Sequence, residues 1–438
     1  MPFFRNTPTS FSRRRFLQSS AALVASSALV PRQSLAWAKK EMGIESLLHE
    51  VQRRVCRFFQ ENSGQFTGLV KDRALHSRLD RHIESSIAAT GFGLSALCIA
   101  ASNGFMPTAE AQKRAQVTLE YVAKRLPHER GFFYHFVDMN TGDRIWKCEA
   151  SSIDTTLLLC GVLHARAFFD SKMIRQLAAD IYERVDWKWM LNGGPTLSHG
   201  WKPESGFLPS RWDVYCELMG MYLLAIGSPT FPIPAKSWEA WKRPAFDYEG
   251  LRYLGSPAPL FVHQYAHAWI DFRNKRDTHA DYFENSVTAT LAHQRFCVGL
   301  KSKYPWMSDQ LWGISASDSE KGYQVWGGPP KMGNIDGTIV PSAAGGAIAF
   351  LPESCKQVLH FVYENYPNAW SPYGFVDAFH PKHKWYDPEV LGIDLGITLL
   401  MVENMRNGGV WNSFMSNPEI GAAMRKVGFT GSEVRFGK

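Results

Sequence analysis

The chain has 438 residues, 45% of them hydrophobic, 13% aromatic and 20% charged. That composition supports a large buried core and excludes an intrinsically disordered chain. The formal net charge of +7 points toward a polyanion until it is located. Residues 1–38 hold five arginines and no acid, so the remaining 400 residues stand at +2 and suit a neutral ligand better than nucleic acid.

The first segment is an address rather than part of a fold. Ser12-Arg13-Arg14-Arg15-Phe16-Leu17-Gln18 leads into a mildly apolar stretch, Phe16 to Val30, and Ala36-Trp37-Ala38 offers a small-x-small cleavage pattern. This resembles a bacterial twin-arginine signal and predicts export of the folded protein to the periplasm or beyond, the twin-arginine machinery engaging residues 12–18. An ordinary Sec signal would lead to much the same place. The stretch is too short and too rich in Ser and Ala to span a bilayer, and no later run reaches the roughly 18 to 20 apolar residues that a span needs. We expect a signal over 1–38 and a single domain over 39–438, because no linker and no shift in composition divides the rest. The seven cysteines (Cys56, Cys98, Cys148, Cys160, Cys216, Cys297, Cys355) stand far apart with no Cys-x-x-Cys pair, and read as buried thiols.

Beyond the signal, apolar residues spaced three and four apart predict helices over 44–60, 85–101, 109–125, 153–169, 173–185, 213–226, 281–297, 354–366, 395–406 and 417–427. Ser152 or Asp154 is placed to cap the fourth, and Gly227 with Pro229 ends the sixth. Strand signal is confined to short pieces such as Gly131 to Phe136. Such a series, joined by loops rich in Gly, Pro and aromatics, predicts an all-α toroid with apolar helices inside, amphipathic helices outside and a wide cleft built from the loops at one end. An irregular α-superhelix is the alternative, and no repeat of about 33 to 45 residues supports it.

Arg211-Trp-Asp-Val-Tyr-Cys-Glu217 sets Asp213 and Glu217 four residues apart, on one face of the expected helix, beside Trp212 and Tyr215. Carboxyls among flat rings suit a sugar-cleaving site: rings stack on pyranose C–H faces, and apolar walls hold a carboxylic acid protonated near neutrality. A solvated amphipathic helix would explain the same pair. Other loops repeat the mixture of glycine, ring and hydrogen-bonding group. Trp201 is followed by Lys202 and Glu204; His263, Gln264, Tyr265, His267 and Arg273 interleave with apolar residues; Trp312 leads to Asp318, and Gly322 to Tyr323. Later come Asp336-Gly-Thr338, then Tyr373, Phe375 and Asp377, then Trp385-Tyr-Asp387. Together these predict subsites for a sugar polymer.

His263 and His267 have a metal-ligand spacing, but no Glu lies in the turn between them as a zinc protease needs, and no Asp-x-Asp-x-Asp-Gly calcium loop is present. No metal or other cofactor is expected. The Gly-x-Ser-x-Gly elbow, the phosphate-binding loop and the dinucleotide fingerprint are absent too. Carboxylate acid–base chemistry is left, with Glu149, Asp154, Asp213, Glu217, Asp271, Asp318, Asp336, Asp377, Asp394 and Glu403 as candidates. Glu149 and Asp154 flank the opening of one apolar helix and Asp394 opens another. Each is either a cleft acid held by the helix dipole or merely a cap.

The segments Ser152-Ile-Asp-Thr-Thr-Leu-Leu-Leu159, Trp212 to Glu217, Gly227-Ser-Pro-Thr230, Leu260-Phe-Val-His-Gln-Tyr265, Trp312 to Asp318, Tyr373-Gly-Phe-Val-Asp-Ala-Phe379 and Gly392-Ile-Asp394, in this order, resemble the glucoamylase-like family of bacterial proteins. Its best understood members are endo-β-1,2-glucanases with an (α/α)6 barrel. The resemblance runs from about residue 45 to 428. It implies endo-hydrolysis of a glucan with inversion, Glu217 as general acid and Asp394 as base, with Glu149, Asp154 and Glu403 in comparable places. One departure is Tyr265-Ala-His267, where the family pattern has Ser before the His. Two rivals stand beside this reading. A polysaccharide lyase would use His263, Tyr265 and Arg273 on the same toroid, and a periplasmic glucan-binding or maturation factor would keep the cleft with idle acids.

Overall fold

Apolar and amphipathic helices alternate along the chain in the computed structural model, which describes residues 42–77 and 80–431. The expected signal over 1–38 lies outside the described residues; the chain from Met42 onward forms one compact unit. Its helices are α1 (Ile44–Glu61), α2 (Ile87–Ser102), α3 (Thr108–Lys124), α4 (Ser152–Phe168), α5 (Lys172–Glu183), α6 (Trp187–Met190), α7 (Met219–Gly227), α8 (Tyr265–Trp269), α9 (Tyr282–Gly299), α10 (Pro341–Gly345), α11 (Pro352–Asn365), α12 (Gly392–Asn407), α13 (Gly409–Phe414) and α14 (Pro418–Lys426).

Nine of the ten expected helices form within a few residues of the spans read from the sequence. The exception is 213–226, where only Met219–Gly227 is helical and 213–218 is a turn. Helices α2, α7 and the middle of α12 are buried on every side, as helices apolar all round must be, while α1, α3, α5 and α11 bury one stripe. Helix α2 packs on α1, α3, α4 and α12; α4 also packs on α5 and α7. The α2–α4 crossing is backbone on backbone: a Cβ on Gly161 would stand 2.0 Å from the Gly91 carbonyl oxygen, and one on Gly91 would stand 2.2 Å from that of Leu157. All seven cysteines are free, and six are buried.

The strands are short antiparallel stitches, and they place the site. Strand Arg73–Leu75 pairs with Glu389–Leu391, which runs into α12; Glu84–Ser86, which runs into α2, pairs with Phe136–Asp138; Ala150–Ser151, which runs into α4, pairs with Gly200–Lys202. Isolated bridges join Lys71 to Ser85 and Tyr134 to Ala150. This network brings the N-termini of α2, α4 and α12 to one end. Their first free N–H groups are satisfied by carbonyls of neighbouring loops: Ile87 N donates to His135 O (3.2 Å), Ser152 N to His199 O (3.1 Å) and Gly392 N to Asp72 O (2.7 Å). The side-chain cap of α4 is Ser151, which accepts from Asp154 N, rather than Ser152 or Asp154.

Candidate active site

At that stitched end the carboxyls gather in two groups. Asp154, in the first turn of α4, is buried; its Oδ2 accepts from Ser151 Oγ (2.5 Å) and its Oδ1 lies 3.4 Å from His135 Nε2. The other ring nitrogen of His135 meets Glu149 Oε1 at 3.2 Å. Despite burial, which pulls it down, His135 is raised to about 8 by Asp154 and Glu149, so the imidazolium ties the two acids together. Glu149 is correspondingly lowered, first by its hydrogen bond to His135.

Glu217 stands in the turn that precedes α7. It is partly accessible, yet its carboxyl is desolvated, and burial first, with Asp154 adding to it, raises its pKa from 4.5 to about 7. Its own backbone N–H and the Cys216 thiol offset part of that rise. Asp213 sits in the same turn, half-buried, not on a helix face shared with Glu217. The expected i,i+4 pair is therefore corrected: the turn aims Glu217 into the site and leaves the pairing to Asp154 from another helix.

The second group surrounds Asp394 in the first turn of α12. Asp377 is buried and accepts from Asp318 N (2.7 Å) through Oδ2, and burial beside Asp394 lifts it far above the carboxylate range. Asp394 is raised by burial and held back by its hydrogen bond with Asp377, so the two share one proton that resides on Asp377. The proton on Asp377 thus favours the ionised form of Asp394. Arg73 is the cation among these acids, 2.6 Å from Asp318, 3.1 Å from Glu389 and 3.2 Å from Asp72. Buried Asp387 beside them is raised to about 7.

Tyr265 joins the groups: it is buried at the start of α8, and its hydroxyl feels both Asp394 and Glu217. The ring of Tyr323 is half exposed, while its hydroxyl end is desolvated and lies in the field of Asp394 and Asp377. Trp212 donates through Nε1 to Ser152 Oγ (2.9 Å) and stacks on His199; Trp201 is half-buried in the strand paired with Ala150, next to Glu149. Phe375 is buried behind Asp377 and Asp394.

Other expected contacts belong to the interior or to another part of the surface. Tyr215 is fully buried, its hydroxyl 3.2 Å from His263 Nδ1 and bonded by Asn285. His267 is buried against Ser286, Gln264 donates to Ala343 O, and Trp312 lies in the core beside His293. Burial holds His263 and His267 neutral, at about 3. Arg273 follows the C-terminal end of α8, paired with Asp271 and stacked over Trp411 of α13. Tyr373 is tied to outer helix α1 through Glu61. Asp336 caps a local turn at Thr338 N, and Glu403 sits nine residues beyond Asp394, about 13 Å down α12. The lyase trio His263, Tyr265 and Arg273 is therefore not assembled.

Three residues escaped the sequence reading: His135, Arg73 and Trp146. Arg73 reaches the site through the pairing of Arg73–Leu75 with Glu389–Leu391 and His135 beside the bridge of Tyr134 to Ala150, which no local spacing reveals; Trp146 follows the local bridge of Val137 to Arg144. Trp146 is 65% exposed, at φ 52°, followed by Lys147 at φ 49°. Its ring meets Phe136 (5.0 Å), which stacks on His135 (3.8 Å). Two successive non-glycine residues in the left-handed region hold this ring outward, a strained arrangement that clusters at binding sites.

Residues 209–418 match the Glycoamylase family model, described as "Putative glucoamylase". A curated relative, the exo-β-1,2-glucooligosaccharide sophorohydrolase of Parabacteroides distasonis, is 26% identical over 90% of this chain, and the chain spans 59% of that relative's length. The endo-β-1,2-glucanase of Chitinophaga pinensis, solved with sophorotriose and glucose, superposes with a TM-score of 0.81 at 25% identity, covering 89% of this chain and 99% of that one. A β-1,2-glucanase structure from Parabacteroides distasonis gives 0.83 at 25% identity over 89% of this chain and 60% of that one. The resemblance to the glucoamylase-like family read from the sequence is shown by the family match, and similarity to β-1,2-glucan hydrolases extends over nine-tenths of the chain.

Proposed function

We propose that the protein is an exported glycoside hydrolase that cleaves β-1,2-glucan internally with inversion, its alternating helices closing as an (α/α)6 toroid around the acid-bearing end. The observation that carries the reading is Glu217: a desolvated carboxyl held at about 7, with the buried Tyr265 hydroxyl in the field of both Glu217 and the Asp377–Asp394 pair. Glu217 gives its proton to the glycosidic oxygen as the C1–O bond breaks. Asp394 takes a proton from the water whose oxygen bonds to C1 from the opposite face, and Asp377 keeps the shared proton. Glu149 and Asp154, locked by His135, serve as the electrostatic backing of Glu217 rather than as the base. Trp146, Trp201 and Trp212 supply ring faces for glucose units. The twin-arginine route and the periplasm rest on residues 12–18 and 36–38 alone, and the near-neutral remainder agrees with a neutral glucan.

The test is reducing-end release by residues 39–438 on linear β-1,2-glucan beside starch, laminarin and cellulose derivatives. Activity on the first is expected, with α-anomeric ends at first release. Glu217→Gln is expected to lower kcat by about three decades with KM nearly unchanged. Unchanged turnover would remove Glu217 from the mechanism, and binding without new reducing ends would select the glucan-binding factor.

A further inference from the structure

A second cavity, of about 430 Å³, lies among the C-terminal turns of α2, α4 and α12 and the first turns of α13. On α12 the lining residues Glu403 and Asn407 stand nine and thirteen residues beyond Asp394, so roughly 13 to 20 Å of helix separates the cavity from that acid. Its volume falls in the range of small-molecule sites, about 300 to 1,000 Å³. Glu403, 2% exposed, lines it and accepts from Gln52, from Asn103 Nδ2 (3.1 Å) and from Asn407 Nδ2 (3.0 Å). Asn412 and the half-buried ring of Phe168 complete the wall. His164, 2% exposed, also lines it; burial keeps this ring neutral, and its Nδ1, like Ser413 Oγ, is buried without a partner. Orphaned polar atoms of this kind are costly unless something occupies the space beside them.

The lining selects the chemistry. No cationic side chain lines the cavity, so an anion finds no counter-charge beside Glu403. The one carboxylate already accepts three amide donors, which leaves little for an incoming cation. Side-chain amides and hydroxyls, which donate and accept together, facing an aromatic ring match hydroxyl groups on an apolar ring face. We propose that this cavity binds a neutral polyhydroxylated molecule the size of one or two hexoses, at a second site remote from the catalytic cleft. The assignment does not depend on which glycan the acids cleave.

Crystals soaked separately with glucose, the β-1,2-linked glucose disaccharide and glycerol identify the occupant, and sugar density against Phe168 is expected. In calorimetric titrations with the same three compounds, Asn412→Leu and Phe168→Ala are each expected to weaken sugar binding at this site at least tenfold, with kcat/KM on glucan unchanged. The two positions are independent, so one misfolded variant leaves the other and the soak to decide. Sugar density confined to the acid-bearing cleft, affinities that both variants leave unaltered, or occupancy by glycerol alone overturns the proposal.

Discussion

At the scale of single residues, the site works by setting each titratable group against its neighbours. Arg73 illustrates this: it pairs with Asp318 and Glu389 and helps hold Asp394 ionised against the burial that raises it. Arg73→Met is expected to move the acid limb of the kcat/KM profile to higher pH, and Arg73→Lys to restore most of it. A merely structural role would lower kcat without moving that limb. The alkaline limb belongs to Glu217 and is expected near pH 7. Trp146, exposed and held in a left-handed turn, is predicted to act on KM: Trp146→Ala should raise it about tenfold, about 1.4 kcal/mol, with kcat kept. Initial rates on short β-1,2-linked oligosaccharides check this. Glu217 was legible as an acid because its neighbours are aromatic and an apolar run follows it. His135 and Arg73 were not, because what makes them functional is the carboxylates brought to them by other segments.

At the scale of elements, helix existence followed from periodicity and the helix ends did not. The failure at 213–218 is instructive: Asp213 and Glu217 carry a helical spacing, yet Tyr215 N bonds to Lys242 O and Tyr215 is drawn into the core toward His263. A tertiary hydrogen bond and the burial of one large ring outweigh the weak local propensity of six residues. The reverse holds for α2 and α4, whose apolar sequences and paired glycines suit close packing. Gly161→Ala forces a methyl group into the Gly91 carbonyl and is expected to destabilise the protein by about 3 kcal/mol or more. Urea unfolding should show a lower midpoint at an unchanged slope.

At the scale of the whole molecule, buried ionisable groups set the dependence of stability on pH. Glu217 and Asp387 are raised to about 7 and His135 to about 8. The carboxyls contribute stability fully below about pH 4, losing it as pH rises through about 7; His135 contributes fully below about 6.5, losing it through about 8. Buried neutral His164, His263 and His267, held at about 3, and His293, at about 4, act oppositely: their contribution is lost as pH falls from about 6.5 toward those values. Because the four histidines outnumber the two carboxyls, stability is therefore expected to be greatest near pH 6.5 and to decline both from there to about pH 8 and as pH falls from there toward about 3. Glu217→Gln should remove the Glu217 share of the loss between about pH 4.5 and 7 and leave the decline toward pH 8 to His135, which denaturant titrations across pH measure. The sequence by itself determined the all-helical class, the alternation of apolar and amphipathic helices and the free thiols, and it singled out Glu217 as a candidate acid, because each depends on local composition or spacing. Only the tertiary structure decided which rings line the cleft and which fill the core, and which groups tune the acids. Short strands from distant segments bring those groups together, and a one-dimensional pattern does not encode that proximity.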